Sequence, residues 1–149
     1  MIYTSYFGNL KKLQSGTIPI TPIAICGKSP DWYTGLEYKK LAPKKEFFKV
    51  WQQTRDNDYY IQCFNEQVLS KLDPVKVSIE LERMMCLPGT NPCLLCYEKP
   101  SEFCHRHLVA KWFREANIRC QEIDISYSMP HQKKREYTNS CEAMYMDVD

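Results

Sequence analysis

A cluster of residues that could do chemistry lies in the middle of the chain. Cys96 and Glu98 end a short apolar run, and Cys104, His105 and Arg106 follow after a short loop. Together they offer thiols, a carboxylate, an imidazole and a guanidinium, which can serve as nucleophile, general acid or base, and anion-binding group. We therefore expect the functional centre of the chain between residues 93 and 114.

A strand, a loop and a helix are needed to bring these side chains together. The apolar run over residues 93–97 is bounded by turn residues, which is typical of a buried central strand. An amphipathic helix is predicted from Cys104 onward, with one apolar face formed by Leu108, Val109, Trp112, Phe113 and Ala116. Ligands of parallel sheets bind beyond the carboxyl ends of the strands. A helix start attracts anions and lowers the pKa of a nearby thiol.

The cluster fits several chemistries. As a nucleophilic site, Cys104 would be a thiolate, Glu98 the acid or base, and Arg106 the clamp on an anionic substrate, with His105 a second base or a capping residue. As a redox site, Cys96 and Cys104 would form a disulfide or a nucleophile–resolver pair. A purely structural alternative is that Cys96 packs in the core while Glu98 pairs with Arg106.

A zinc site is the remaining possibility. Its ligands would be Cys93, Cys96 and Cys104, with His105 or His107 as the fourth. Residues three apart in an extended strand point to opposite faces, whereas zinc knuckles place their Cys-x-x-Cys pair in a tight turn. We therefore expect no metal and no cofactor.

The rest of the chain alternates strands with helices. Strands are predicted over residues 2–7, 23–26, 93–97 and 118–125, and helices over residues 56–72, 74–85, from Cys104, and from Pro43 through Phe47, Phe48 and Trp51. Residues 28–43 are expected to be irregular. The alternation predicts an α/β fold, a mostly parallel Rossmann-like or flavodoxin-like three-layer sheet with helices on both faces.

Length and composition indicate one domain in a reducing compartment. The 149 residues, 44% of them hydrophobic, fit a single domain over residues 1–125 with a tail at 126–149 that is partly ordered at best. Eight cysteines are expected to be mostly free and buried, because a chain of this length needs no disulfide staples. The chain has no apolar run of about 18 residues and no signal-peptide pattern, so we expect a cytoplasmic protein without membrane contact.

Charge and aromatic residues in the first third of the chain favour an anionic partner. Residues 1–50 carry eight lysines against three acidic residues. A small anionic molecule or a nucleic acid would suit such a surface, although a solvated lysine-rich face is an equally good explanation. The candidate substrate-binding residues, beside Arg106, are Lys28, Asp31, Trp32, Tyr33, Lys39 and Lys40.

Cys96-x-Glu98 followed by Cys104-His105-Arg106 resembles a bacterial and phage family known as domain of unknown function family 488. The opening residues 2–6 and the residues 122–125 also look like that family's first and last strands, so the likeness covers roughly residues 1–125. Many members carry an Asp-Val-Arg-like element after the second strand, and here either Lys28 and Asp31 replace that charge pair or its role is absent. The resemblance implies the fold and the site, but no substrate, because the family has no settled reaction.

The combined interpretation is an enzyme acting on a nucleotide or nucleic-acid-linked anionic substrate. Cys104 would be its nucleophile or redox thiol and Cys96 the partner thiol. The alternatives are a phosphate-binding or nucleic-acid-binding module without turnover, and a thiol redox or zinc-binding protein. The sequence leaves the oligomeric state open.

Overall fold

A computed structural model describes residues 1–123, which form a five-stranded, all-parallel sheet with helices on both faces. This confirms the predicted α/β class. In chain order the elements are β1 (Ile2–Tyr6), α1 (Leu10–Gln14), β2 (Ile20–Ala24), β3 (Leu36–Glu37), α2 (Lys45–Thr54), α3 (Asn57–Gln67), α4 (Pro74–Met84), β4 (Asn91–Cys96), α5 (His105–Glu115) and β5 (Cys120–Glu122). Short 3-10 turns cover Phe7–Asn9, Lys39–Leu41 and Leu69–Lys71.

Strand β4 is the centre of the sheet, whose order is β3-β2-β4-β1-β5. It pairs with β1 so that Tyr6 lies beside Cys96, and with β2 so that Ala24 lies beside Leu95. All strands run the same way, so β1, β2 and β4 end at one edge of the sheet. The loops after these strands therefore open onto a common rim.

The two faces of the sheet carry unequal layers. Leu94 faces the larger layer, where α2, α3, α4 and α5 pack around buried residues such as Phe64 and Phe113. Leu95 points to the other face and packs with Leu10 and Leu13 of α1. Alternation along β4 thus puts successive leucines into different cores, as expected of a strand buried on both sides.

Helices α3 and α4 start where the sequence predicted, whereas α2 begins at Lys45 and not with Pro43 in its first turn, because Lys44 is still extended. The side chain of Asp56 accepts a hydrogen bond from the backbone N–H of Tyr59 at 3.1 Å, and that of Asp73 from Val75 at 2.9 Å. Pro74 occupies the first turn of α4, a position that needs no backbone donor. The periodic run predicted as one helix over 56–72 is instead α3 followed by the 3-10 turn Leu69–Lys71.

Short elements differ most from the sequence prediction. Residues 28–43, which were predicted to be irregular, contain β3 and a 3-10 turn. They are held against β2, because the Tyr38 N–H donates to the Ala24 carbonyl at 2.8 Å. Helix α1 was not predicted, since five residues are too few for a periodic signal. Strand β2 begins three residues earlier than expected, and β5 ends at Glu122. The predicted strand end and tail beyond residue 123 lie outside the described residues.

No helix within residues 1–123 has the length and apolar character that crossing a bilayer requires.

Removing a core leucine should cost far more stability than removing a surface one. We expect Leu94→Ala to lower the free energy of unfolding by about 2–5 kcal/mol, because its fully buried side chain leaves a cavity between sheet and helices. Leu87→Ala is the matched control: its side chain is 70% exposed, and the change should stay within about 0.5 kcal/mol. Urea unfolding measures both, and equal effects would contradict the packing described.

Candidate active site

The predicted strand end and helix start meet at the sheet rim. Cys96 is the last residue of β4, Glu98 follows two residues later, and His105 is the first residue of α5. Cys104 precedes the helix in extended conformation, and its side chain makes no capping hydrogen bond. Both thiols are buried, with Cys104 3% and Cys96 4% exposed, and both are free rather than disulfide-bonded.

The imidazole of His105 lies between the two thiols. Its Nδ1 atom is 3.6 Å from Sγ of Cys96 and 4.0 Å from Sγ of Cys104. Its Nε2 atom is 2.7 Å from the carbonyl oxygen of Ile25, which can only accept a hydrogen bond. Nε2 therefore carries a proton, and in the neutral ring the lone pair of Nδ1 is directed at the sulfurs. This tautomer makes Nδ1 the atom that exchanges a proton with a thiol.

The pKa values of the two thiols are shifted in opposite directions. Burial by itself raises the pKa of Cys104, but hydrogen bonds from Cys96 and His105 and the positive charges of His105 and Arg106 outweigh it, so the pKa lies well below the ordinary thiol value. Burial, and then the neighbouring Cys104, raise the pKa of Cys96 well above that value. Cys104 is accordingly the thiolate of the pair, and Cys96 is the protonated thiol that stabilises it.

Glu98 is the carboxyl group beside the thiols. Its Oε2 lies 3.6 Å from Sγ of Cys96. Burial, followed by the negative charge of Cys104, raises the pKa of Glu98 to about 7. A carboxyl with that pKa can both give and take a proton near neutral pH, as a general acid or base must.

Arg106 is close to the thiols but forms its ion pair with another part of the protein. Its guanidinium is fully buried and bidentate on Glu122, with Nη2 3.0 Å from Oε2 and Nε 3.1 Å from Oε1. Its Nη1 atom has no hydrogen-bond partner within residues 1–123. Burial acts to lower the pKa of Arg106, but the charges of Cys104 and Glu122 raise it overall. The predicted clamp on substrate is thus occupied by β5, and its charge acts on Cys104 instead.

A cavity of about 290 Å³ opens in front of the thiols. Cys96, Glu98, Cys104 and His105 contribute to its wall, so the predicted catalytic residues other than Arg106 surround one space. The remaining lining comes from the loops after β2 and β4 and from helices α2 and α3: Cys26, Gly27, Lys28, Pro43, Lys45, Phe48, Trp51, Tyr60, Tyr97 and Phe103.

Sequence reasoning missed the aromatic wall of this cavity. Tyr60 is packed edge-on against Phe103, with ring centroids 5.0 Å apart, and Trp51 lies 5.6 Å from Tyr60. Burial raises the pKa of Tyr60 far above its ordinary value. The apolar periodicity of α2 and α3 marks these residues only as core. Lys45, at the first position of α2, also lines the cavity, and nothing in its local sequence distinguishes it from its lysine neighbours.

The predicted substrate-binding residues are divided among several places. Lys28 lines the cavity, but Lys39 donates to the Gly27 carbonyl at 2.6 Å and Lys40 pairs with Glu80 at 3.0 Å. Their ammonium groups are therefore engaged by the protein.

Trp32 and Tyr33 line a second cavity of about 530 Å³ together with Phe7 and residues of α1. The Tyr33 hydroxyl donates to the Leu36 carbonyl at 2.7 Å, and burial raises its pKa. Asp31 is exposed and lines neither of these two cavities. The sequence grouped Trp32 and Tyr33 with Lys28 because they are neighbours in the chain, and the fold places them on a different cavity.

Three of the site atoms could hold a metal ion. The sulfurs of Cys96 and Cys104 and one ring nitrogen of His105 all lie within 4.8 Å of one another, and all three residues are buried. Cys93 and His107, which the sequence considered as further ligands, are not part of this group. Burial, and then the charge of Arg106, lower the pKa of His107.

Alkylation of Cys104 should persist at acid pH. Because its pKa is lowered, the thiolate remains populated as the pH falls, and reaction with iodoacetamide should keep most of its plateau rate at about pH 6.5. A free thiol with a pKa of about 8.5 has lost about 99% of its thiolate there. Peptide mass spectrometry of a Cys86→Ser protein would follow the rate, with glutathione as the reference. A profile that matches glutathione would contradict the assignment.

The buried ion pair of Arg106 and Glu122 should contribute more to the free energy of unfolding than an exposed ion pair does. Glu122→Gln leaves the buried Arg106 charge uncompensated, and we expect a loss of about 3 kcal/mol in the free energy of unfolding. Glu80→Gln breaks the exposed pair with Lys40 and should cost less than about 1 kcal/mol. Thermal and urea unfolding would compare the two, and equal losses would refute a structural role for the Arg106 pair.

Residues 9–117, more than half of the chain, match the family DUF488-N3a, described as the active DUF488-N3 subclade. No curated protein and no solved structure gives a significant match. The chain belongs to the DUF488 family, within the subclade described as active.

Proposed function

We propose that this chain is an enzyme in which Cys104 attacks a nucleotide or a nucleic-acid-linked anionic substrate. The observation that supports this most is geometric: the thiol lies at the start of α5, faces a cavity, and has Nδ1 of His105 within 4.0 Å. A thiol next to a base whose own orientation is fixed by a third group is the usual arrangement of an activated nucleophile. Here the third group is the Ile25 carbonyl.

The lining of the cavity is suited to a substrate with an aromatic ring and a negative charge. Trp51, Tyr60 and Phe103 offer faces and edges on which a base ring can pack. Lys28 and Lys45 are the lysines that line the cavity. The starts of α2 and α5 also face it, and helix starts favour phosphate.

The size of the cavity favours one nucleotide unit. Its volume of about 290 Å³ is at the lower end of the range of roughly 300–1,000 Å³ for small-molecule sites. A free mononucleotide or a single nucleotide of a flexible strand would fit this description better than a duplex. The reaction would therefore take place on a unit inserted between the aromatic wall and the thiols.

A two-step displacement accounts for the residues present. The Cys104 thiolate would form a bond to an electrophilic carbon of the substrate, and the leaving group would depart with the proton of Glu98. Water would then attack the same carbon, giving its proton to the Glu98 carboxylate and releasing the Cys104 thiolate. Arg106 would act as a positioning residue, because it stabilises the thiolate without lining the cavity, and Cys96 would stabilise the thiolate from the cavity wall.

A binding module without turnover is the second candidate. It is favoured by the aromatic residues in the wall, which would hold a base whether or not the thiol reacts. In that case Lys28 and Lys45 would provide the affinity, and Cys104 would be dispensable. The redox alternative uses the same two thiols and predicts a Cys96–Cys104 disulfide under mild oxidation.

Turnover should depend on Cys104 and not on a thiol outside the cavity. Each common ribonucleoside and deoxyribonucleoside monophosphate would be incubated with the reduced protein, and products and covalent adducts followed by mass spectrometry. We expect turnover in Cys86→Ser, whose residue is exposed and outside the cavity, and none in Cys104→Ser, which should still bind. Binding without turnover in every variant would favour the binding module, and unchanged turnover in Cys104→Ser would reject the nucleophile.

Affinity should depend on Lys45 and not on the adjacent lysine. Lys45→Ala removes a cation from the cavity and should weaken binding of a nucleoside monophosphate by about tenfold, which is about 1.4 kcal/mol. Lys44→Ala is the matched control, because Lys44 is exposed and does not line the cavity, and its effect should be less than about twofold. Calorimetric titration measures both, and equal losses would contradict the proposed phosphate position.

A further inference from the structure

The three donor atoms at the rim have the spacing of a metal site that nothing in the chain's family description assigns. We propose that Cys96, Cys104 and His105 bind a zinc ion in the reduced protein, and that the bound metal reversibly blocks the Cys104 nucleophile. The metal site stands on its own geometry, whereas its blocking role rests on the proposed function.

Distances between the donors match a tetrahedral zinc site. With zinc–sulfur bonds of about 2.3 Å and zinc–nitrogen bonds of about 2.0–2.1 Å, a sulfur and a nitrogen ligand lie about 3.6 Å apart. The observed distances from Nδ1 of His105 are 3.6 Å to Cys96 and 4.0 Å to Cys104. The Cys104 sulfur would have to move somewhat closer to Nδ1, and all three donor atoms already lie within 4.8 Å of one another.

The orientation of His105 is that of a metal ligand. Metal-binding histidines almost always donate their second ring N–H to a backbone carbonyl, a carboxylate or water, which directs the other nitrogen at the metal. In this chain Nε2 donates to the Ile25 carbonyl at 2.7 Å, and Nδ1 is directed at the sulfurs. The ring needs no rearrangement when the ion enters.

The fourth coordination position would be open to the cavity. Cys96, Cys104 and His105 all contribute to the cavity wall, so a water molecule or a small anion could complete the tetrahedron. Glu98 Oε2 lies 3.6 Å from Cys96 Sγ, close enough to accept a hydrogen bond from such a water molecule or, after rotation, to bind the ion itself. Three protein ligands with one open position are typical of accessible rather than purely structural zinc sites.

Metal binding and nucleophilic attack exclude each other, because both use the same sulfur. A zinc-bound Cys104 shares the electron pair that would attack a substrate or an alkylating reagent. The ligand set of two thiolates and an imidazole selects a soft or borderline ion such as zinc and disfavours magnesium and calcium, which prefer oxygen ligands. The site would therefore respond to zinc and not to magnesium.

Cobalt offers a direct spectroscopic test. Full-length Cys86→Ser/Cys141→Ser protein, reduced and freed of metal by a chelator, keeps the site while losing an exposed thiol and one outside the described residues. One equivalent of Co²⁺ should produce the visible bands of tetrahedral cobalt and a thiolate charge-transfer band, and one equivalent of Zn²⁺ should remove them. Added Zn²⁺ should also suppress iodoacetamide labelling of Cys104, and equal Mg²⁺ should not.

Variants separate this proposal from the proposed function. Cys96→Ser should weaken cobalt binding by more than about a hundredfold, since even the loss of an outer partner costs about ten- to a hundredfold, and added Zn²⁺ should then no longer protect Cys104 from iodoacetamide. Cys63→Ser is the control for loss of a buried thiol and should keep the cobalt spectrum; circular dichroism would confirm that both variants are folded.

The cobalt spectra test the metal site, and the labelling of metal-free protein tests the nucleophile. Absence of the cobalt bands, or bands that survive in folded Cys96→Ser, would overturn the metal site even if Cys104 labels normally. An unreactive Cys104 in metal-free protein would reject the nucleophile and with it the blocking role, although a normal cobalt spectrum would still establish the metal site.

Discussion

The hydrogen bond from Nε2 of His105 to the Ile25 carbonyl is the contact on which the site depends. It ties the first residue of α5 to the end of β2 across the carboxyl edge of the sheet. The same bond decides which nitrogen carries the proton, and so directs the lone pair of Nδ1 at Cys96 and Cys104. Without it, the imidazole would have no fixed relation to either thiol.

A second constraint is the burial of one positive charge beneath the thiols. Arg106 is fully buried, and Glu122 of β5 provides the carboxylate that makes such burial tolerable. Thr4 donates to the same carboxylate at 2.6 Å, which links β1, β5 and α5 in one polar network. The charge is therefore held by the fold, and its field lowers the pKa of Cys104.

Nucleophile and metal ligand are two uses of one arrangement. Both require the Cys104 sulfur at the start of α5, Nδ1 of His105 directed at it and a cavity in front of them. Trp51, Tyr60 and Phe103 give this space an apolar wall, and Lys28 and Lys45 are the lysines that line it. Whether the Cys104 sulfur bonds to a substrate carbon or to a zinc ion then depends on which of them enters the cavity.

The sequence by itself determined the elements with strong local signals. The apolar run ending at Cys96, the periodic face of α5 and the Asp73-Pro74 helix start were all readable, because burial and capping leave periodic or positional marks in a single stretch of chain. So was the α/β class, since strands and helices alternate. The placement of Cys104 and His105 at a helix start followed from the same signals.

Only the tertiary structure decided which side chains share a space. In the fold Arg106 pairs with Glu122, and Trp32 lies in a different cavity from the thiols. Tyr60 and Lys45 line the cavity in front of the thiols, although their helices are distant from the thiols in the sequence. The metal-like set of Cys96, Cys104 and His105 arises the same way, without the Cys93 that chain spacing suggested. Such contacts depend on strand order and helix packing, which no local pattern encodes, because they join residues whose separation along the chain is unrelated to their separation in space.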